Sequence, residues 1–449
     1  MLARRVTGGS GVRGALIFVC LLLTITAGAG FTAQQKPTKT DRDDAHQILH
    51  DAYDAVKKNY YDPKYHGLDL DARLREYDGR IEKAASFGDA LSVVAAFLEG
   101  LNDSHTHYNP LPSSARVDSG FRMQMIGDAC FVTRVRPDTD AESKVHPGDQ
   151  VVGYDGYEVS RADFDRIRYY FGVLAEQTNS KLSLRDLAGT EREVVVNADV
   201  QEVKQSAVDL SEFGSAAPDD PVREGEYQDH IIRRRLVEDG DVAIWKMPEF
   251  RMKDGEIDGS FQTIRKHKSL ILDLRGNPGG TLPSLERLVG NVFDRGVKIA
   301  DRVGRKESKP VVAKTRGGDA FTGTLIVLVD SDSTSSAELF ARVIQIEHRG
   351  TVIGDRTAGS VMEAKHYPYS RGLDTNGFYD FSVTDADMVM SDGKSLETTG
   401  VVPDETILPT AQDLATGRDP VLAAAAERAG LKLSPGDAGK LFPMEWTRL

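Results

Sequence analysis

Only two cysteines occur in the 449 residues, Cys20 and Cys130. With so few, no disulfide framework carries the fold, and stability has to come from buried apolar surface. Positive charge is also in deficit: 56 Lys and Arg against 69 Asp and Glu leave a formal net charge of −13. Such a chain has little with which to displace counterions from phosphates, which excludes nucleic acid as an expected partner. No repeat array and no sustained heptad runs through the sequence, so solenoids and long coiled coils are excluded too. His105 and His107 have no third ligand cluster at zinc spacing, and no G-x-G-x-x-G follows a strand. Neither a metal nor an organic cofactor is expected.

What is present begins with a leader. Arg4, Arg5 and Arg13 surround the start of an apolar run from Ala15 to about Ala27, and small residues follow to Phe31-Thr32-Ala33. A positive n-region, an h-region and a small-residue cleavage site are the pattern of a secretory signal over 1–33. The chain is therefore expected to be exported, periplasmic or secreted. Gly14 to Ala33 is also just long enough to span a bilayer, so a retained anchor is the other reading.

The rest is long enough for two or three domains. Helical spacing of Ile48, Leu49, Ala52, Tyr53, Val56 and Tyr60, then a second helix over about 87–101, mark an N-terminal helical domain at 41–112. Between 117 and 200 the pattern changes to short strands and turns, such as His146-Pro147-Gly148-Asp149, with a helix over 161–174. An acidic, proline-bearing linker is expected at 201–233. From 234 to 433 buried strands (242–245, 269–274, 325–329, 351–354) alternate with helices (260–266, 282–293, 335–346), which implies βαβ units and a largely parallel sheet. Residues 434–449 read as a C-terminal tail.

Two loops of the α/β part carry chemistry. One reads Asp273-Leu274-Arg275-Gly276-Asn277-Pro278-Gly279-Gly280 after a strand, where paired glycines leave backbone amides free to face a ligand. Alone, it is a tight turn. The other follows a strand into Ser333-Thr334-Ser335-Ser336-Ala337-Glu338, and a Ser at a helix N-terminus gains from the dipole there. Alone, Ser335-x-x-Glu338 is a capping box.

Together these loops resemble the core of the tail-specific (C-terminal processing) and tricorn-core serine protease family. That family carries D-x-R-x-N-x-G-G after a strand, S-x-x-E at a helix start, and G-[DE]-x-T after the next strand. Asp273 to Gly280, Ser335 to Glu338 and Gly354-Asp355-Arg356-Thr357 supply the three in order. The resemblance implies a multidomain protein with an N-terminal helical domain, a PDZ-like β-rich module and an α/β ClpP/crotonase-like catalytic core. It also implies that Ser335 is the nucleophile of a serine endopeptidase and that the amides of Gly280 and Ser336 form the oxyanion hole.

The base separates two branches of the family. Where a Ser-Lys dyad would place Lys soon after G-[DE]-x-T, Thr357-Ala358-Gly359 is followed by Ser360, and Lys365 lies outside the pattern. The tricorn-core branch uses a His after a Ser at the end of the helical part, and a Glu just before G-[VI]-x-P-D. Ser104-His105 and Glu397, ahead of Gly400-Val401-Val402-Pro403-Asp404, match those positions. His105 is thus expected as general base, with Glu397 as relay through Ser104.

In the module, Gly120-Phe121-Arg122 would be the carboxylate loop of a PDZ-like groove, and polypeptides with free C-termini the partners. The resemblance extends to interphotoreceptor retinoid-binding proteins. A non-catalytic binding protein or PDZ adaptor on the same scaffold is therefore the alternative.

Overall fold

The computed structural model describes residues 36–110, 115–175, 177–202, 230–231, 235–370 and 378–446. The expected leader and most of the expected linker lie outside the described residues. No helix among those described is long and apolar enough to cross a membrane.

Three helices open the fold: Lys39–Asn59, Leu70–Ile81 and Phe87–Glu99. The first buries Ile48, Leu49, Ala52 and Val56 on one face, as their spacing requires. A reciprocal cap starts it, with Thr38 Oγ1 accepting from Asp41 N–H at 3.1 Å and Asp41 accepting from Thr38 N–H at 2.8 Å. The middle helix was not anticipated. Its stripe is only Leu70, Tyr77 and Ile81, too sparse a periodicity to read, and the packing of its neighbours supplies what propensity does not.

The next part is a sheet of antiparallel strands in the order 121–126, 129–135, 150–154, 179–185 and 191–197, with 157–158 pairing the middle strand. The helix expected over 161–174 is Phe164–Tyr169, continued by a π turn over Tyr170–Leu174. Strand 121–126 stands at the sheet's edge.

The α/β part is built on a six-stranded sheet in the order 235–239, 242–246, 269–273, 324–329, 351–354 and 405–406. Its first pair is antiparallel and the rest are parallel. Both faces are covered, so alternate residues of one strand enter different cores. Leu270 and Leu272 face one cluster with Trp245, Val327 and Phe340, whereas Ile271 faces another with Ile244, Ile326 and Leu422. Helices 282–292 and 336–346 belong to the first cluster. The second is closed by helices 420–428 and 435–441. Residues 435–441, read from sequence as part of a tail, are thus a packed helix, capped by Ser434 and with Pro435 in its first turn.

A second, wholly antiparallel sheet joins the two ends of the chain. Its long strand 378–390 pairs with 107–109, 297–304 and 363–370, and strand 308–313 lies outside 297–304. Tyr379, Phe381 and Val383 of the long strand sit in the core of the N-terminal helices. That contact carries residues just before His107 up to the α/β part.

Candidate active site

The loops at the C-terminal ends of strands 269–273, 324–329 and 351–354 meet, the position where open parallel sheets place ligands. Ser335 immediately precedes helix 336–346 and has φ 52° and ψ −118°. A β-substituted residue at positive φ is strained by about 1–3 kcal/mol, and it persists only where the surroundings fix it. Here they do. Ser335 N–H donates to Ser360 O at 2.8 Å, and the preceding Thr334 N–H donates to Asn277 O at 3.0 Å. Ser333 Oγ reaches Leu274 O at 2.9 Å.

Glu338 does more than cap the helix. It is fully buried and accepts from Ser335 N–H at 3.1 Å, Ser360 N–H at 3.0 Å, Gly359 N–H at 2.7 Å and Thr357 Oγ at 2.5 Å. One carboxyl group thereby ties the helix start to the Gly354–Thr357 turn and the residues after it. Burial pushes this carboxyl up to about 7, against the four hydrogen bonds, which favour its ionised form. A folded-state value above the unfolded 4.5 means that the native chain holds a proton the unfolded chain has released. Stability from this group is therefore largest below pH 4.5 and falls by about 3 kcal/mol as pH rises to 7. Glu397, also raised by burial, adds the same sign. Denaturant unfolding between pH 4.5 and 7.5 is expected to show the fall. Glu338→Gln, less stable throughout because an amide nitrogen must face donors, is expected to show a shallower slope.

The glycine turn lies against the nucleophile. Gly279 has φ 90°, and a Cβ there would stand 2.6 Å from Ser335 Cβ. Gly280 has φ 138° and passes so close to Phe250 that a Cβ would meet its carbonyl at 2.6 Å. Phe250 N–H donates to Gly279 O at 2.7 Å, Thr281 N–H to Phe250 O at 2.8 Å, and Ser336 Oγ to Gly280 O at 2.9 Å. The carbonyls are thus pinned, while the N–H groups of Gly280 and Ser336 donate to no described residue. Buried Asn277 holds the turn from within, donating to Met247 O and accepting from Gly279 N–H, both at 2.8 Å.

His105, 2% exposed, comes from the far end of the sequence. Its Nδ1 lies 2.7 Å from Ser104 Oγ, and that hydroxyl donates to Glu397 Oε2 at 3.1 Å. Glu397 also accepts from Ser104 N–H at 2.7 Å and Val361 N–H at 3.0 Å. Val361 follows Ser360, whose carbonyl holds Ser335, so one short segment connects the two halves. Asp103 fixes the histidine turn, accepting from the N–H groups of His105 and Thr106, from Thr384 Oγ1 and from Tyr60 Oη. No hydrogen bond joins His105 to Ser335 Oγ among the described residues. Such contacts are often long in unliganded enzymes and tighten with substrate.

Lys365 lies elsewhere, exposed on strand 363–370 and paired with Asp385, which Arg302 also contacts at 2.7 Å. The Gly120 amide is already spent on Asp118 Oδ1 at 2.8 Å, and Phe121 is buried in its own module. Asn277, Asp103 and the wider role of Glu338 were missed from sequence. Asn277 stands inside the glycine-turn motif quoted above, Asp103 immediately precedes Ser104-His105, and the third looks local although three of its partners are 19–22 residues away.

The profile of peptidase family S41 matches residues 241–407, and that of the tricorn protease C1 domain matches residues 41–96. The carboxy-terminal processing protease CtpA of Bacillus subtilis (strain 168) is 24% identical over 405 residues, 87% of this chain and 74% of its own length. A carboxy-terminal-processing protease of Bartonella bacilliformis is 25% identical over 279 residues, and the chain spans only 60% of that relative. Among solved structures, mature CPAF superposes with a TM-score of 0.62 at 18% identity, covering 84% of this chain and 95% of that one. The photosystem II D1 C-terminal processing protease gives 0.50 at 18% identity, over 83% and 97%. These two likenesses show a shared fold. Residues 241–407 thus form a peptidase family S41 domain, built around the strand-end loops described above.

Proposed function

We propose that the chain is an exported endopeptidase that cleaves unfolded or flexible polypeptides by an acyl-enzyme route, with Ser335 as nucleophile and His105 as general base. With Nδ1–H directed at Ser104 Oγ and that hydroxyl directed at Glu397, Nε2 is left as the acceptor for the Ser335 proton. Ser335 Oγ attacks the scissile carbonyl and His105 takes its proton. The amides of Gly280 and Ser336 receive the charge on the tetrahedral oxygen. As the C–N bond breaks, His105 returns the proton to the leaving amine. Water, deprotonated by the same imidazole, then hydrolyses the ester. The observation that most supports this reading is the Glu397–Ser104–His105 chain, linked through Val361 and Ser360 to the nucleophile.

In this reading residues 117–200 are a PDZ-like module that recruits free C-termini, and 234–433 a ClpP/crotonase-like core. The antiparallel sheet with one covering helix supports the first, and the mostly parallel six-stranded sheet supports the second. The two relatives named for carboxy-terminal processing suggest the substrate class. A non-catalytic binding role has no support among them.

A fluorophosphonate is expected to stop hydrolysis of an unfolded protein and to add one adduct, found by peptide mass spectrometry on Ser335. Full activity after complete labelling of Ser335, or inhibition with the adduct elsewhere, would overturn the assignment.

A further inference from the structure

A recess of about 360 Å³ opens between the antiparallel module and the loops around the candidate active site. Met125 and Phe164 of the module, both buried, supply apolar lining, and Arg356, Thr357, Ala358 and Thr398 line it from the α/β part. Both α/β segments lead straight into the site. Thr357 and Ala358 precede Gly359 and Ser360, and Ser360 O holds Ser335 N–H at 2.8 Å. Thr398 follows Glu397 and donates its own N–H to Gly359 O at 2.8 Å. Two residues of chain span at most about 7 Å, so the step from Ala358 to Ser360 is one that the neighbours of a scissile residue can cover.

The charges that line this recess are engaged, with one exception. Arg161 donates to Gly127 O at 2.9 Å, to Arg356 O at 3.0 Å and to Asp355 Oδ2 at 2.6 Å. Asp355 beside it also accepts from Gly127 N–H at 2.8 Å. Asp165 faces Arg168 at 3.6 Å. Arg356 is pinned through its backbone alone: its N–H donates to Asp355 Oδ1 at 2.7 Å, and its carbonyl accepts from Arg161. Its exposed guanidinium makes no hydrogen bond and no ion pair with a described residue. Thr398 stands at φ 61°, a strained conformation for a β-branched residue, and its hydroxyl likewise bonds to no described residue. A cation and a hydroxyl donor thus line one small recess, above apolar side chains, without a ligand of their own.

We propose that this recess is a specificity pocket for an acidic side chain of the substrate, with the Asp or Glu carboxylate on Arg356 and Thr398 and its methylenes against Met125 and Phe164. The inference rests on the reading of the chain as a peptidase with Ser335 as nucleophile. A guanidinium and a carboxylate form charge-assisted, forked hydrogen bonds, and the neutral amide of Gln or Asn, though of the same shape, forms weaker ones. Polypeptides with an acidic residue near the scissile bond are thus the favoured substrates.

The test starts with the full chain and a proteome-derived peptide library, with cleavage sites read by mass spectrometry. Asp and Glu are expected to be enriched at one fixed position within about three residues of the cleaved bond. Matched octapeptides with Glu or Gln at that position, amidated so that no terminal carboxylate competes, are expected to differ by about tenfold or more in kcat/KM. Arg356→Gln is expected to bring that ratio within about twofold, Arg356→Lys to restore part of it, and Arg356→Glu to favour Lys at the same position. No acidic enrichment with the wild type, or a Glu preference that survives Arg356→Gln, overturns the proposal. Fluorescence anisotropy with the Ser335→Ala chain, using labelled amidated octapeptides in which Glu or Gln is scanned through every position, scores the recess without turnover. Arg356-dependent binding of Glu peptides that the wild type never cleaves would keep the recess and fail the peptidase reading. Cleavage without a Glu preference would do the reverse.

Discussion

Alanine at His105 is expected to lower kcat/KM for an unfolded protein substrate by a factor on the order of 10⁴ to 10⁶, and Ser335→Ala to do the same. The double variant should be hardly worse than either single one, because a nucleophile and its base act as one unit. KM should change little, since neither side chain is proposed to hold the ground state. Lys365→Ala should stay within about twofold of wild type, as expected of an exposed residue in a surface ion pair. The three variants separate two chemistries. A lysine base needs a depressed pKa and hence burial away from acids, whereas Lys365 is exposed beside Asp385. His105 is buried, with one nitrogen already engaged by the Ser104–Glu397 relay. Activity lost in Lys365→Ala and retained in His105→Ala would overturn the base assignment. Glu397→Gln offers a milder check. The amide cannot favour the imidazolium that forms on proton transfer, so a loss of about 10² to 10⁴ in kcat is expected.

Local chemistry was the legible part of this site. A glycine pair after a buried strand and a serine at a strand-to-helix junction each state their backbone requirement within a few residues. Gly279, Gly280 and Ser335 indeed stand at positive φ. The parallel strands were readable for the same reason, being continuous apolar runs such as Leu325 to Val329. What sequence did not disclose is whatever depends on pairing across hundreds of residues. Strand 378–390 interleaves Asp380, Ser382 and Thr384 with its apolar residues, and all three are buried, Asp380 and Thr384 through partners from elsewhere. Asp380 accepts from Asn109 at 2.8 Å, and Thr384 donates to Asp103 at 2.6 Å. A polar residue satisfied by a distant strand looks, in sequence, like a solvent-facing one. Glu338 shows the converse: the local capping pattern was real, and it concealed a carboxylate whose other three donors come from the next loop.

Gly279→Ala is expected to lower kcat by about 10² to 10³ while leaving KM within a few fold. The new methyl group would sit 2.6 Å from Ser335 Cβ, 3.0 Å from Thr334 O and 3.1 Å from Ser336 N. Two of these atoms are backbone and the third is the Cβ of the nucleophile, so no flexible side chain can swing away. Either the glycine turn moves, carrying the Gly280 amide off its line, or the Ser335 turn moves, carrying the Ser336 amide. Both routes separate the two proposed oxyanion donors. A φ of 90° adds strain of about 1–3 kcal/mol for an alanine there, so the melting temperature should fall by several degrees as well. Gly259→Ala is the companion variant. It lies exposed in helix 254–264 with no atom within 4 Å of the added methyl, so activity should hold and stability rise by about 0.5–1 kcal/mol. Steady-state kinetics and thermal melts of the two variants distinguish a steric effect on the nucleophile from a general effect of losing glycine. If Gly279→Ala keeps wild-type kcat with the expected loss of stability, the turn supports the fold and the donors lie elsewhere.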